Sequence, residues 1–213
     1  MTLSPGTLTR LVLILHGETV GNQQQLWTGW SDSPLSETGR AQVRQTAAWL
    51  GRDSLNAVAL YTSSIGRAQQ TADPIGQALR LNPIPDESLK EMHFGELEAI
   101  RGDYFATDHP EIHARWRHRK DESFGWPGGE TRREFRARTA GALERLASVH
   151  SGQTILLVTH SGFIRMALAH FAPQQFEDWW LVHLHNCGLT HFLLDQAGRV
   201  QIPILDDFIH LDS

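Results

Sequence analysis

The chain has 213 residues, with 19 basic and 24 acidic side chains and a formal charge of −5, and its pI is near 6.2. A chain of this length buries on the order of 70% of its unfolded surface, as one large α/β domain or two small ones, without a disulfide or metal staple. Its only cysteine, Cys187, excludes an intrachain disulfide and fits a reducing compartment. The acidic balance argues against general nucleic-acid binding, which needs clustered Lys and Arg, so any phosphate site must focus cations locally.

The stretch from Met1 to Arg10 has neither a basic start nor a long apolar core, and the apolar run Leu11 to Leu15 is too short to cross a bilayer. A cytoplasmic protein with no membrane partner is expected. That run reads as a strand buried on both faces, since its apolarity is continuous rather than alternating. A helix after Ser36 places Val43, Ala47 and Leu50 on one face. A second buried strand, Ala57 to Tyr61, leads into Ser63-Ser64-Ile65-Gly66-Arg67, and a helix from about Ile65 carries Ala68, Ala72 and Ile75, with Pro74 predicting a kink.

Residues 101–130 are polar and aromatic and are interrupted by Pro110, Pro127, Gly128 and Gly129, which predicts an excursion over the sheet, a cap or lid within a single domain spanning 1–213. Thr131 and Glu134 have capping-box spacing, followed by Phe135, Thr139, Ala142, Leu146 and Val149 at helical intervals. A third buried strand runs from Ile155 to Val158. After Pro173 come a helical stretch with Trp179 and Trp180, a strand from Leu189 to Leu194, a turn at 195–198 and a last strand near Val200 to Leu205. The pattern predicts a three-layer αβα sandwich around a mostly parallel sheet.

Two buried strands end in histidine, Leu15-His16-Gly17 and Thr159-His160-Ser161-Gly162, and a third leads to Arg67. Ligands of open α/β sheets bind beyond the carboxyl ends of the strands, so His16, Arg67 and His160 are expected to converge there. Two imidazoles and a guanidinium suit a phosphoryl group, with one imidazole as nucleophile and the other groups holding oxygens.

These residues resemble the histidine phosphatase superfamily, also called phosphoglycerate mutase-like, over nearly the whole chain. His16-Gly17-Glu18-Thr19 with Asn22 is similar to the family's Arg-His-Gly-Glu-Thr opening. Gly29 to Ser36 resembles the segment that follows it, and Ser63 to Ala72 the Arg-Ala-x-Gln-Thr-Ala helix. Leu89 to Glu96 resembles the stretch supplying the proton donor, and Val158 to Gly162 the second-histidine motif. Pro127-Gly128-Gly129-Glu130-Thr131 is similar to a signature common in the phosphatase branches.

The resemblance implies that His16 attacks phosphorus, that Glu91 protonates the leaving oxygen, and that water then hydrolyses a phosphohistidine. Arg67 and His160 would hold the phosphoryl group, while Asn22, Thr28, Gly29 and Ser161 would line the substrate pocket. It implies no metal and no cofactor, with a small phosphorylated metabolite as the partner; oligomeric state is not indicated. Leu15 stands where the family has arginine, which removes a cation and five donors from the phosphoryl site. A phosphoryl-stabilising arginine is worth roughly 10³–10⁵ in rate, so impaired turnover is expected. Arg101 and Arg165 are the candidates to compensate. Three readings follow: a metal-independent phosphomonoesterase, a phosphoglycerate mutase, and a phospholigand-binding pseudoenzyme or trapped variant.

Other features read as structural. His183 and His185 would share a face if extended, with His191 nearby, but no carboxylate or cysteine pattern completes a metal-ligand spacing. The basic run Arg115 to Lys120 is followed at once by Asp121 and Glu122 and reads as a solvated helix face rather than a nucleic-acid patch.

Overall fold

Strand β1, Thr9–Leu15, is almost wholly buried and lies inside the sheet. It is followed by α1 (Val20–Gln23), β2 (Leu26–Trp27), α2 (Glu37–Leu50), β3 (Ala57–Ser63), α3 (Gly66–Leu79) and β4 (Pro83–Asp86). Then come β5 (Ile100–Arg101), α4 (Phe105–Asp108), α5 (Pro110–Arg117), α6 (Arg132–Val149), β6 (Thr154–Thr159), α7 (Ser161–Phe171), β7 (Leu189–Leu194) and β8 (Val200–Asp207). This computed structural model describes residues 8–52, 55–118, 121–175 and 179–211.

The main sheet has the order β4-β3-β6-β1-β7-β8. Its first four strands run parallel, and β7 and β8 join through antiparallel pairings, so the sheet is mixed. Helices cover both faces, giving an αβα sandwich. Alternation along β1 divides the core: Leu11, Leu13 and Leu15 pack with residues of α6 and α7, whereas Val12 and Ile14 pack with residues of α2 and α3. β8 alternates between half-buried and exposed positions, as an edge strand with one solvated face does, and the edge accommodates Pro203.

Local chemistry accounts for the helix boundaries. The Ser36 hydroxyl caps α2 through the Gly39 amide, and Thr131 and Glu134 form a reciprocal capping box at α6, which is worth ~1 kcal/mol. Helix α3 runs unbroken through Pro74, so the expected kink does not divide it. The face expected on α6 is buried at Phe135, Thr139, Ala142 and Leu146, but Val149, the last helical residue, is exposed. The helical stretch expected after Pro173 contains a single 3₁₀ turn, Trp179–Leu181; residues 176–178 lie outside the described residues.

Residues 101–130 contain the end of β5, then α4 and α5. Phe105, Phe124 and Trp126 fix this segment by burial in the α6–α7 side of the core. Trp27 meets it, with ring centroids 4.9 Å from Phe105 and 5.1 Å from Trp116. Arg115 and Arg117 occupy the last turn of α5, while Arg119 and Lys120 of the basic run lie outside the described residues. No described helix is long and apolar enough to cross a membrane.

Candidate active site

The parallel register pairs Leu15 with Thr159, so the next residues, His16 and His160, leave the sheet side by side. Their ring centroids are 5.2 Å apart. His16 Nδ1 lies 2.8 Å from the Gly17 carbonyl, which only accepts, so Nδ1 carries the proton and Nε2 presents its lone pair. Arg67 Nε–H donates to that Nε2 at 3.2 Å. Burial, with the adjacent Arg67 charge, lowers the His16 pKa to about 3 and keeps the imidazole neutral.

His160 is completely buried and is likewise held neutral, first by burial and then by Arg67 and His16. Its Nε2 is 2.8 Å from Ser63 Oγ. That oxygen also accepts the Ile65 amide at 3.3 Å and keeps one hydroxyl proton to give; with Ser63 donating to Nε2, the imidazole proton sits on Nδ1. Nδ1 is buried with no hydrogen-bond partner. A buried ring nitrogen without a partner is uncommon in a folded interior and marks a place for a polar atom of a ligand.

Arg67 enters from the first turn of α3 and is 1% exposed. Its Nη1 donates to the Ser31 carbonyl at 2.8 Å, and its Nη2 to the Thr28 and Gly29 carbonyls at 2.9 and 2.8 Å. The guanidinium therefore ties the 28–31 loop to His16. The Glu98 carboxylate grips the same loop from its amide side, accepting from the amides of Gly29, Trp30, Ser31 and Phe94 and from the Ser31 hydroxyl. Gly29 must be glycine, because a Cβ there would lie 2.3 Å from the Met92 carbonyl oxygen and 2.5 Å from Glu98 Oε1.

Glu91 is buried, and burial raises its carboxyl pKa above the ordinary range against the lowering pull of two amides and of Arg67 and Arg165. Those amides, Met92 and Gly162, each donate to the carboxylate at 2.8 Å. The Glu91 carbonyl accepts from Trp30 Nε1 and from Arg138 Nη2. Arg138, on α6, also donates to the Ser88 and Lys90 carbonyls and pairs with Glu130 at 2.7 Å. Glu130 in turn accepts the His93 amide. The 127–131 segment thus clamps the loop that carries Glu91. A Cβ on Gly129 would fall 2.3 Å from the His93 carbonyl oxygen, so the clamp closes only around glycine.

A cavity of about 510 Å³ opens beside these groups. Of the site residues expected from sequence, His16, Asn22, Thr28, Glu91 and Ser161 line it, with Trp27, Trp116, Trp179 and Trp180 among its aromatic walls. Arg67 and His160 sit behind His16 and reach it through ring and hydrogen-bond contacts. Asn22 also closes the capping box of α1 with Thr19. Gly29 and Leu15 are not in the wall; Leu15 is 4% exposed and belongs to the core cluster.

The two compensating candidates separate. Arg165 lines the cavity, whereas Arg101 is an exposed partner of Asp103 elsewhere. His183 and His185 stack edge to face at 4.5 Å and His185 pairs with Asp206, while His191 is buried on β7. Among the described residues, no group of three or more His, Cys, Asp or Glu side chains could hold a metal ion. Sequence reasoning missed Glu98, Arg138 and Ser63. Glu98 and Arg138 act across large sequence separations, and the Ser63 signal was present only as part of the segment leading to Arg67.

The family model for the histidine phosphatase superfamily (branch 1) matches residues 11–203. This chain belongs to that superfamily. It is 34% identical over 199 residues to "Bifunctional protein Rv2228c" of Mycobacterium tuberculosis, covering 92% of this chain and 54% of the relative. The chain thus spans about half the length of that relative. It is 31% identical over 204 residues to "2,3-bisphosphoglycerate-dependent phosphoglycerate mutase 2" of Gloeobacter violaceus, covering 92% of each. A solved structure of a putative alpha-ribazole-5'-P phosphatase from Escherichia coli superposes with a TM-score of 0.81 at 25% identity, covering 94% of this chain and 97% of that one. Superfamily relatives thus include phosphatases and mutases.

Proposed function

We propose that this chain is a metal-independent phosphomonoesterase acting on a small phosphorylated metabolite. The observation that carries the reading is the pair of adjacent rings: His160 Nδ1 is buried without a partner, and His16 Nε2 presents its lone pair to the Arg67 guanidinium, so a donor, a cation and a nucleophile meet where a phosphoryl group would sit. His16 Nε2 attacks phosphorus, the bond from phosphorus to the ester oxygen breaks, and Glu91 gives that oxygen its proton. Water then attacks the phosphohistidine, Glu91 takes a proton from the water, and inorganic phosphate leaves with His16 neutral again. On attack the Arg67 Nε–H passes from the His16 Nε2 lone pair to a phosphoryl oxygen, His160 Nδ1–H donates to another, and residues 101–130 act as the cap over the leaving group.

In this reading turnover is lowered because Leu15, packed in the core, supplies no donor to the phosphoryl group. The aromatic walls of the cavity favour hydrolysis of one monoester over a mutase that must seat a second anionic group. Phosphate release from a panel of phosphomonoesters, with and without chelator, tests the proposal. Release that survives chelator and disappears in His16→Ala supports it, together with an acid-labile phosphoprotein caught by rapid quenching. Loss of release in chelator, or interconversion of monophosphoglycerates without release, overturns it.

A further inference from the structure

Two guanidinium groups line the cavity among the described residues, and they are used differently. Arg132 is spent: its nitrogens donate to the Trp116, His118 and Asp121 carbonyls, and it lies 4.6 Å over the Phe124 ring. Arg165, one turn into α7, is half-buried, and its Nε donates to the Val182 carbonyl at 2.9 Å. Its Nη1 is 3.4 Å from Ser161 Oγ. Among the described residues no carboxylate lies within ion-pair distance of it. The Glu91 and Asp206 carboxylates act on this cation only from beyond ion-pair distance, so a partly desolvated guanidinium gains from an anion that binds against it directly.

The neighbours define that ligand. Ser161 directly follows His160, the Gly162 amide is bound to the Glu91 carboxylate, and Ser161, Arg165 and Glu91 line the same cavity. Leu15, at the end of β1, supplies no donor. We propose that Arg165 and the Ser161 hydroxyl form a second phosphoryl-oxygen site, so that the cation missing from the end of β1 is furnished by α7. The ligand class is a phosphate monoester dianion, or inorganic phosphate itself. The assignment rests on the phosphomonoesterase reading for its chemistry, but the site it describes binds an anion whether or not turnover follows.

The test uses Arg165→Gln, which keeps an N–H for the Val182 carbonyl while removing the charge, together with Arg165→Lys and Leu15→Arg. Orthovanadate binding by calorimetry and phenyl phosphate hydrolysis are read in each, since phenyl phosphate carries no second anion. Arg165→Gln is expected to weaken vanadate binding at least tenfold and to lower kcat/KM by ~10², the usual loss of one transition-state donor. Arg165→Lys recovers part of both. In the Leu15→Arg background the Arg165→Gln loss shrinks to about tenfold or less, because two cations then share one task. Equal losses in both backgrounds, or unchanged vanadate affinity in Arg165→Gln, overturn the assignment. Weakened vanadate binding in a chain that hydrolyses no monoester leaves the site standing and removes the phosphatase reading instead.

Discussion

Ser63 Oγ and His160 Nε2 are 2.8 Å apart, and when the hydroxyl donates in this contact the His160 proton is held on Nδ1. Without the hydroxyl, the ring is free to place its proton on Nε2, and Nδ1 ceases to be a donor. Ser63→Ala is expected to lower kcat for phosphate release at least tenfold while costing ~1 kcal/mol of stability, the scale of one hydrogen bond. Steady-state kinetics beside a urea titration separates the two effects; a stability loss with unchanged kcat refutes the tautomer argument.

The acid loop depends on a cation far away in sequence. Arg138 holds the Ser88, Lys90 and Glu91 carbonyls at once and is itself held by Glu130. Arg138→Met strands Glu130 and releases the loop, and breaking a buried pair in this way costs roughly 3–5 kcal/mol, an upper figure here because both partners retain some exposure. The expected kinetic signature is a fall in kcat larger than the rise in KM, since the displaced group is a proton donor rather than a binding contact. Arg138→Met with Glu130→Gln is expected to regain stability without regaining kcat.

His16 links stability to pH. Its pKa falls from 6.5 to about 3 on folding, so between those values the unfolded chain binds a proton that the folded chain refuses. Stability therefore rises with pH across that window and is lost as the solution is acidified. Buried His160 adds in the same sense. Glu91 has the opposite sign: its raised carboxyl pKa means that stability declines as pH climbs from the ordinary carboxylate range through its folded value. Urea midpoints at pH 4.5 and 7 are expected to differ less in His16→Gln than in the unaltered chain. The rate profile should show its acid limb near the His16 value and its alkaline limb where Glu91 loses its proton.

Cys187 is fully buried, and burial pushes its thiol up to about 12. Its amide donates to the Leu15 carbonyl at 2.8 Å, immediately before His16. The thiol is expected to resist a disulfide reagent at pH 8 until the chain unfolds, because both thiolate and access are lacking. Rapid labelling of the native protein would show that the 183–188 segment opens without global unfolding.

The sheet and the paired histidines were legible because both follow from local rules: continuous apolar runs become buried parallel strands, and strand ends carry the chemistry. The helix faces on α2, α3 and most of α6 follow from spacing alone. Arg138 and Glu98 were not legible. Each reaches across dozens of residues to backbone groups, and a carbonyl or amide leaves no trace in the amino-acid code. The two-residue strands β2 and β5 escaped for the related reason that their pairing comes from tertiary contact rather than propensity. Leu15 reads in sequence as a missing donor; its packing beside Leu11 and Leu13 emerges only once the strand register assigns its face.

The grip of Arg67 on three carbonyls of the 28–31 loop has an implication for how this position tolerates exchange. Lysine keeps the positive charge but concentrates its donors on one tetrahedral nitrogen, which cannot span the Thr28, Gly29 and Ser31 carbonyls while also facing His16. A mutational scan should accordingly find position 67 intolerant even of a like-charged residue, its requirement being planar reach rather than electrostatic sign.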